Sequence, residues 1–217
     1  MNRSVLAEHL RPGDHVVVGQ TTGEPAALVG ELFDVAAAIG QVNVFCGYSL
    51  NPAWGGAIDA ALVVTTYCGL GTVRHAVASG AARVIPAQMS QLSSYFDSGL
   101  LKADVVLLQV SPADADGYHS LGCAVDYVWI AAQAARVVLI EVNTRVPRTR
   151  SAFRLHSSRV VVATTSDTWL PELSAEEPDE DQLGVGRQVA RLVPDGAIIQ
   201  LGIGGMAAAV ARALSQH

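Results

Sequence analysis

Charge is scarce in this chain of 217 residues: only 16% of positions are Asp, Glu, Lys or Arg, and the formal net charge is −6. An acidic balance without a basic stripe excludes the phosphate-neutralising surface that nucleic-acid binding requires. Cysteine is scarce too. Cys46, Cys68 and Cys123 are odd in number and widely spaced, which fits reduced thiols in a cytoplasmic protein better than a disulfide frame or a zinc site. Also missing is any run of about 18 apolar residues, the length of a membrane-crossing helix. The start Met1-Asn-Arg-Ser-Val-Leu-Ala-Glu-His-Leu10 has no long apolar core of a signal peptide. The six histidines (His9, His15, His75, His119, His156, His217) have no ligand spacing, so no metal is expected and core or surface packing is the better reading of each. Ser79-Gly80 and Ser90 lack the Gly-x-Ser-x-Gly setting of a hydrolase elbow. These absences leave a soluble, cytoplasmic protein with neither nucleic-acid nor membrane partners.

Apolar residues, in contrast, make up 50% of the chain. A chain of this size buries roughly 70% of its unfolded surface without staples, and the excess suits a face covered by another domain or subunit. Short β-branched runs alternate with longer helical stretches. Strands are expected at His15–Gly19, Val42–Cys46, Leu62–Thr65, Arg83–Ile85, Val105–Val110, Val137–Val142, Val160–Thr164 and Ala197–Leu201. Most are continuous apolar runs, as in strands covered on both faces. Helices are expected at Pro25–Ile39, Gly71–Ser79, Ser90–Ser98, Val125–Ala135, Gln182–Leu192 and Met206–Leu214. This alternation predicts an α/β fold, an open and mainly parallel sheet with helices on both faces. The chain reads as one domain, 1–217, with a seam near 174–181, where an acidic, Pro-containing run reads as a solvated loop. Gly186, inside the helix that follows, suggests close packing.

The segment Gln200-Leu-Gly202-Ile203-Gly204-Gly205-Met206 carries the strongest chemical signal. An apolar strand, a glycine turn and a helix N-terminus together present backbone N–H groups to phosphate or oxyanion oxygens. The turn also fits G-x-G-x-x-A, but a dinucleotide site needs a further strand with an acidic residue about 20 positions on. Tight strand-to-helix packing explains the glycines equally well. The loop Ser111–Gly122, after an apolar strand, sits where α/β sheets place ligands. Its Asp114 and Asp116 suggest either a metal or turn residues bonding nearby backbone, and without a third ligand the turn reading is favoured. His119 could act as a general base, yet spacing places no nucleophile beside it. Arg145, Arg148 and Arg150 could reach a phosphate or carboxylate, or simply form a solvated loop.

Taken in order, several segments resemble the amino-terminal half of the acetyl-CoA hydrolase/CoA-transferase family, which includes 4-hydroxybutyrate CoA-transferase. They are Arg11-Pro-Gly-Asp14, Gly23-Glu-Pro-Ala-Ala-Leu28, Ile85-Pro-Ala-Gln-Met-Ser90, Asp104 to Asp114, Gly117-Tyr-His-Ser-Leu-Gly122, Glu141-Val-Asn143, Pro147-Arg-Thr149 and Asp195 to Gly205. The resemblance implies a NagB/RpiA/CoA-transferase-like sheet and coenzyme A or acyl-CoA as substrate, with a small carboxylic acid as second substrate. It also implies ping-pong chemistry: a glutamate carboxylate attacks an acyl-CoA, the enzyme carries a glutamyl-CoA thioester, and a second acid collects the CoA. Gly202, Ile203, Gly204, Gly205 and Met206 match the segment that contacts CoA, with Gln200 and Gly202 as oxyanion support. The glutamate of that family lies in a Gly-x-His-Ser/Thr-Glu motif, which by the resemblance is expected beyond His217. The chain then reads as half of a transferase or acyl-CoA hydrolase, in an oligomer or beside a second chain or segment that supplies the glutamate. The alternative is a non-catalytic CoA-binding or regulatory protein that keeps the fold. Two departures stand out: Ala207-Ala208 replaces the Pro-Asp that often follows the turn, and Ser151-Ala152-Phe153 stands where a glycine is usual. A sugar-phosphate isomerase on the related fold lacks support, because the motif set is not that family's.

Overall fold

A computed structural model describes residues 4–173 and 177–216. They fall into two compact units, Met1–Pro171 and Glu172–His217. Of the expected acidic seam, residues 174–176 lie outside the described residues, as does His217.

The first unit contains α1 (Val5–His9), β1 (His15–Val18), α2 (Ala26–Ile39), β2 (Val42–Cys46), β3 (Leu62–Thr66), α3 (Val73–Ala78) and β4 (Ala82–Val84). Then come α4 (Met89–Asp97), β5 (Val105–Val110), β6 (Tyr118–Ser120), α5 (Tyr127–Ala134), β7 (Val137–Asn143), β8 (Arg154–His156) and β9 (Val161–Ser166). Seven strands form one sheet in the order β4-β3-β2-β1-β5-β7-β9, and every neighbouring pair runs parallel. Parallel pairing follows from helical crossovers, which return the chain to the same end of the sheet.

Both faces are covered, which explains the unbroken apolar runs. Val16, Val18, Leu107 and Leu139 face one core with Leu28 and Leu32 of α2. Their neighbours Val17, Val106, Leu108 and Ile140 face the other, with Leu92 and Phe96 of α4 and Val128 and Ala131 of α5. The strand period of two sends alternate side chains to opposite faces. The α/β sheet with helices on both faces is therefore as the sequence predicts. Not legible in it was the short antiparallel pair of β6 and β8, whose three-residue strands are too brief for a period to register.

The chain lays β2, β3 and β4 on one side of β1, then returns to place β5 on the other. The strand order thus reverses between β1 and β5, and a crevice opens at their carboxyl ends where such sheets hold ligands.

The second unit consists, among its described residues, of α6 (Glu180–Ala190) and α7 (Gly205–Leu214). Asp179 and Gln182 form a reciprocal cap at the start of α6. A Cβ on Gly186 would lie 2.6 Å from the Ala209 carbonyl oxygen, so the close packing read from that glycine is the α6–α7 contact. The strand expected at Ala197–Leu201 does not form: these residues have no regular structure and all are exposed. A strand needs a neighbour for its N–H and C=O groups, and no strand exists among the described residues of this unit.

Candidate functional site

The turn after β1 builds the site. Gly19 donates its N–H to the Leu107 carbonyl of β5 at 2.9 Å, and any Cβ there would collide with the Gly23 carbonyl. Thr21 adopts a left-handed backbone with φ of 51°, a strained conformation for a β-branched residue and one that clusters at functional sites. This tight return points Glu24 inward. Its side chain is buried, with 5% exposure. Trp54 Nε1 donates to Glu24 Oε1 at 2.8 Å, and Ser49 Oγ donates to Oε2 at 2.5 Å. Burial raises the Glu24 carboxyl from 4.5 to about 7, against the opposing hydrogen bonds of Ser49, Trp54 and Asn51. The loss of hydration outweighs these donors because the charged form is the one burial penalises.

A cavity of about 200 Å³ adjoins this carboxyl at the carboxyl edge of the sheet, with Thr21, Leu50, Pro52, Gln109 and Trp169 among its walls. Its surrounding loops are tied down by strand residues. Gln109 of β5 donates to the Thr22 carbonyl at 2.9 Å and accepts from Asn143 of β7 at 2.8 Å. Asn143 also donates to the Thr168 carbonyl at 2.8 Å. Glu141, 1% exposed, accepts from the Ala27 N–H at 3.1 Å and from Ser166 Oγ at 2.7 Å. A carboxylate at the first turn of α2 also complements the helix dipole there. On the other side of the turn, Gln20 donates to Asp126 Oδ2 at 2.7 Å and accepts from the Tyr48 N–H and the Tyr67 hydroxyl, each at 3.0 Å. Burial pushes the Asp126 carboxyl upward.

The residues singled out in the sequence divide clearly. Asp114 Oδ1 accepts from the N–H groups of Asp116 at 3.1 Å and Tyr118 at 2.7 Å. That is the turn role. The Tyr118 N–H is the main cause holding this carboxyl below its usual range, with Arg148 adding to it. Among the described residues, no group of three or more His, Cys, Asp or Glu is arranged to hold a metal ion. His119 is a satisfied interior histidine, 4% exposed. Its Nδ1 lies 2.8 Å from the Ser111 carbonyl and its Nε2 3.2 Å from Ser157 Oγ. Arg145 pairs with Asp167 at 2.6 Å and lies 4.2 Å over the Trp169 ring. Arg148 donates to the Pro112 carbonyl at 2.6 Å and pairs with Asp114 at 3.1 Å. Both arginines brace loops. Gln200, Gly202, Ile203, Gly204 and Met206 are exposed and Gly205 is buried. Gly204, with φ of 128°, caps the start of α7. These residues belong to the second unit and the cavity to the first.

The cavity and Glu24 had no assigned role in the sequence reading, although Gly23-Glu-Pro was part of the resemblance. The only signal was an acid directly after an apolar strand and a glycine turn. Its burial depends on Trp54 and Ser49, 30 and 25 positions away, and no local pattern reports that. No helix among the described residues is long and apolar enough to cross a membrane.

Comparison with known proteins places this geometry in context. Residues 1–160 match the family described as the acetyl-CoA hydrolase/transferase N-terminal domain. The chain is 37% identical over 140 residues to a 4-hydroxybutyrate coenzyme A transferase of Clostridium kluyveri, covering 64% of this chain and 33% of that protein. It is 28% identical over 211 residues to a succinyl-CoA:acetate/propanoyl-CoA:succinate CoA transferase of Fasciola hepatica, covering 96% and 44%. Among solved structures, RipA from Yersinia pestis superposes with a TM-score of 0.80 at 25% identity, over 93% of this chain and 49% of that one. A 4-hydroxybutyrate CoA-transferase from Porphyromonas gingivalis gives 0.70 at 26% identity, over 98% and 50%. The chain therefore spans about half of these proteins, or less. With a family match over residues 1–160 and a shared parallel-sheet fold, the chain belongs to the acetyl-CoA hydrolase/transferase family, as its amino-terminal domain.

Proposed function

We propose that the protein is one half of a CoA-transferase, moving CoA between an acyl-CoA and a small carboxylic acid through a glutamyl-CoA thioester. The nucleophilic glutamate comes from a separate chain or from a segment outside residues 1–217, in an oligomeric assembly working in the cytoplasm. The observation that carries this reading is the family match over residues 1–160, whose relatives are CoA-transferases.

The chemistry balances without a cofactor. The glutamate oxygen attacks the thioester carbonyl, and CoA leaves as thiolate, forming a mixed anhydride. The thiolate then attacks the glutamyl carbonyl, releasing the first acid as carboxylate and leaving the glutamyl-CoA thioester. The acceptor carboxylate runs both steps in reverse. Each tetrahedral intermediate needs donors aimed at its oxyanion. Gln200 and Gly202 suit that role, and the backbone of Gly202, Ile203, Gly204, Gly205 and Met206 suits the approach of CoA. The whole chain 1–217 then acts as the amino-terminal domain of the transferase.

Native mass spectrometry of the protein from its own source, followed by CoA exchange between acyl-CoA and carboxylate on whatever assembly is found, tests the reading. Transfer should need a partner glutamate and leave a CoA-sized mass on it. An assembly carrying that glutamate but moving no CoA overturns the proposal. Within it, Gly202→Ala is the cleaner probe of the turn, because a Cβ at Gly202 meets nothing within 4 Å, whereas at Gly204 the φ of 128° strains any side chain. A drop in transfer for Gly202→Ala would mean that substrate packs against that Cα; the variant keeps the N–H, so it tests close approach and not the hydrogen bond. The second reading, a non-catalytic CoA-binding protein, is favoured by Ala207-Ala208. Stoichiometric CoA binding by calorimetry with no turnover in any assembly would select it.

A further inference from the structure

The cavity at the carboxyl ends of β1 and β5 is small, lined largely by apolar side chains and equipped with one buried carboxyl group. We propose that it receives the non-reacting tail of a short acyl group, and that Glu24 reads an oxygen on that tail. Acids ending in a hydroxyl or second carboxylate are thereby selected over plain alkanoic acids. This rests on the CoA-transfer reading and adds to it the class of acid and the residue that chooses it.

Size sets the first limit. About 200 Å³ holds several water-sized groups, so a tail of a few carbons fits. Leu50, Pro52, Trp169 and Pro171 line it and match methylene groups. Of the polar lining groups, Gln109 is unavailable, since its amide nitrogen serves the Thr22 carbonyl and its oxygen serves Asn143. Asn51 accepts from the Ala53 N–H through Oδ1 at 3.0 Å.

Glu24 is different. Trp54 and Ser49 each donate one hydrogen bond, one to each carboxyl oxygen, Asn51 adds a third, and a carboxyl group has about four acceptor positions. Those bonds fix its orientation and leave room for one bond from a ligand. Ser49 Oγ already accepts from the Asn51 N–H at 3.0 Å. A neutral Glu24 can hand its proton to the second lone pair of Ser49 Oγ or to an oxygen on the tail, so the carboxyl pairs with such an oxygen without stranding a group when the site is empty.

With its carboxyl raised to about 7, Glu24 is both donor and acceptor near neutral pH. A hydroxyl tail pairs with either form, while a carboxylate tail pairs only with the neutral one. The titratable groups acting electrostatically with Glu24 are Cys46 and Tyr127, and burial pushes both upward. They stay neutral through this range, so the ligand's pH response belongs to Glu24. The two tail chemistries are thus separable by pH.

The test is an NMR titration of the full chain with butyrate, 4-hydroxybutyrate and succinate, at pH about 6 and about 8, either side of the Glu24 titration. Either or both oxygen-tailed acids should bind about tenfold tighter than butyrate, since a site built around a hydrogen bond rejects the analogue lacking it. The shifts should centre on the amides of Thr21, Leu50 and Thr168. A hydroxyl reader keeps its preference at both pH values; a carboxylate reader loses it at the higher one. Glu24→Met should abolish the preference; if that variant fails to fold, Glu24→Gln should remove the pH dependence of a carboxylate preference, and a hydroxyl preference is checked by its loss in Leu50→Trp. Leu50→Trp, which fills the cavity and leaves Glu24 in place, should abolish binding of every acid. Equal affinity for all three acids, no binding at millimolar concentration, or a preference surviving Glu24→Met overturns the inference. Because the titration needs no CoA transfer, its failure is separate from failure of the transferase reading. Transfer without tail preference refutes this inference alone.

Discussion

In the first unit the run Val105–Val110 is buried at every position, whereas in the second the run Ala197–Leu201 is exposed at every position. Composition hardly separates the two: each is a short, mostly aliphatic stretch with one glutamine. Neighbours separate them. β5 lies between β1 and β7, with helices over both faces, so its backbone groups are paired and its side chains packed. Ala197–Leu201 has no strand beside it among the described residues of its unit, and Ile198 stands fully exposed, as Ile203 does at 82%. Apolar character is a demand for partners, and the fold meets it only where a partner is present.

The largest effect should come from the well-partnered side. Leu107→Ala removes a side chain with 0% exposure and should cost about 3 kcal/mol in urea unfolding. A loss below about 1 kcal/mol would mean that the sheet centre is less well packed than its neighbours imply.

Next in size is a pH effect from the site itself. The folded chain holds the Glu24 proton more tightly than the unfolded chain, with a carboxyl at about 7 against an ordinary 4.5. Between those values the folded state carries more protons, so this contribution is fully present below 4.5 and is lost as pH rises to about 7. The loss should be on the order of 3 kcal/mol. Urea midpoints of the wild type and Glu24→Gln, measured across that window, should diverge accordingly. Parallel curves would show that Glu24 titrates normally.

In the second unit Gly186→Val puts a branched side chain where a Cβ already meets the Ala209 carbonyl oxygen at 2.6 Å. We expect a loss of about 2 kcal/mol confined to α6 and α7. Hydrogen exchange should rise in those helices while β5 keeps its protection, and a matching loss in β5 would show that the units unfold together. The smallest effect should come from Ile203→Ser, within about 0.5 kcal/mol of wild type, because 82% of that side chain is already in solvent. A larger loss by the same urea measurement would reveal packing that the exposure does not show.

The parts of the molecule legible in advance were those encoded locally. Seven expected strands lie within a residue or two of β1, β2, β3, β4, β5, β7 and β9, and α2 and α4 likewise, because period and continuity of apolar residues report burial directly. The turn role of Asp114 was legible for the same reason: its partners Asp116 and Tyr118 are two and four residues away. The eighth strand failed because a local pattern shows that a segment can pair, and only the fold shows with what. Glu24 went unassigned for the converse reason, since everything that makes it unusual comes from distant residues.

The sequence by itself therefore determined the class of fold, the family and the short-range turns, all of which depend on residues a few positions apart or on ordered motifs. The tertiary structure alone decided where the strand order reverses, that a cavity opens there, and that one carboxyl beside it is buried between Trp54 and Ser49. Burial and charge are set by everything within a few ångströms, and in a parallel sheet with helical crossovers those neighbours come from far along the chain.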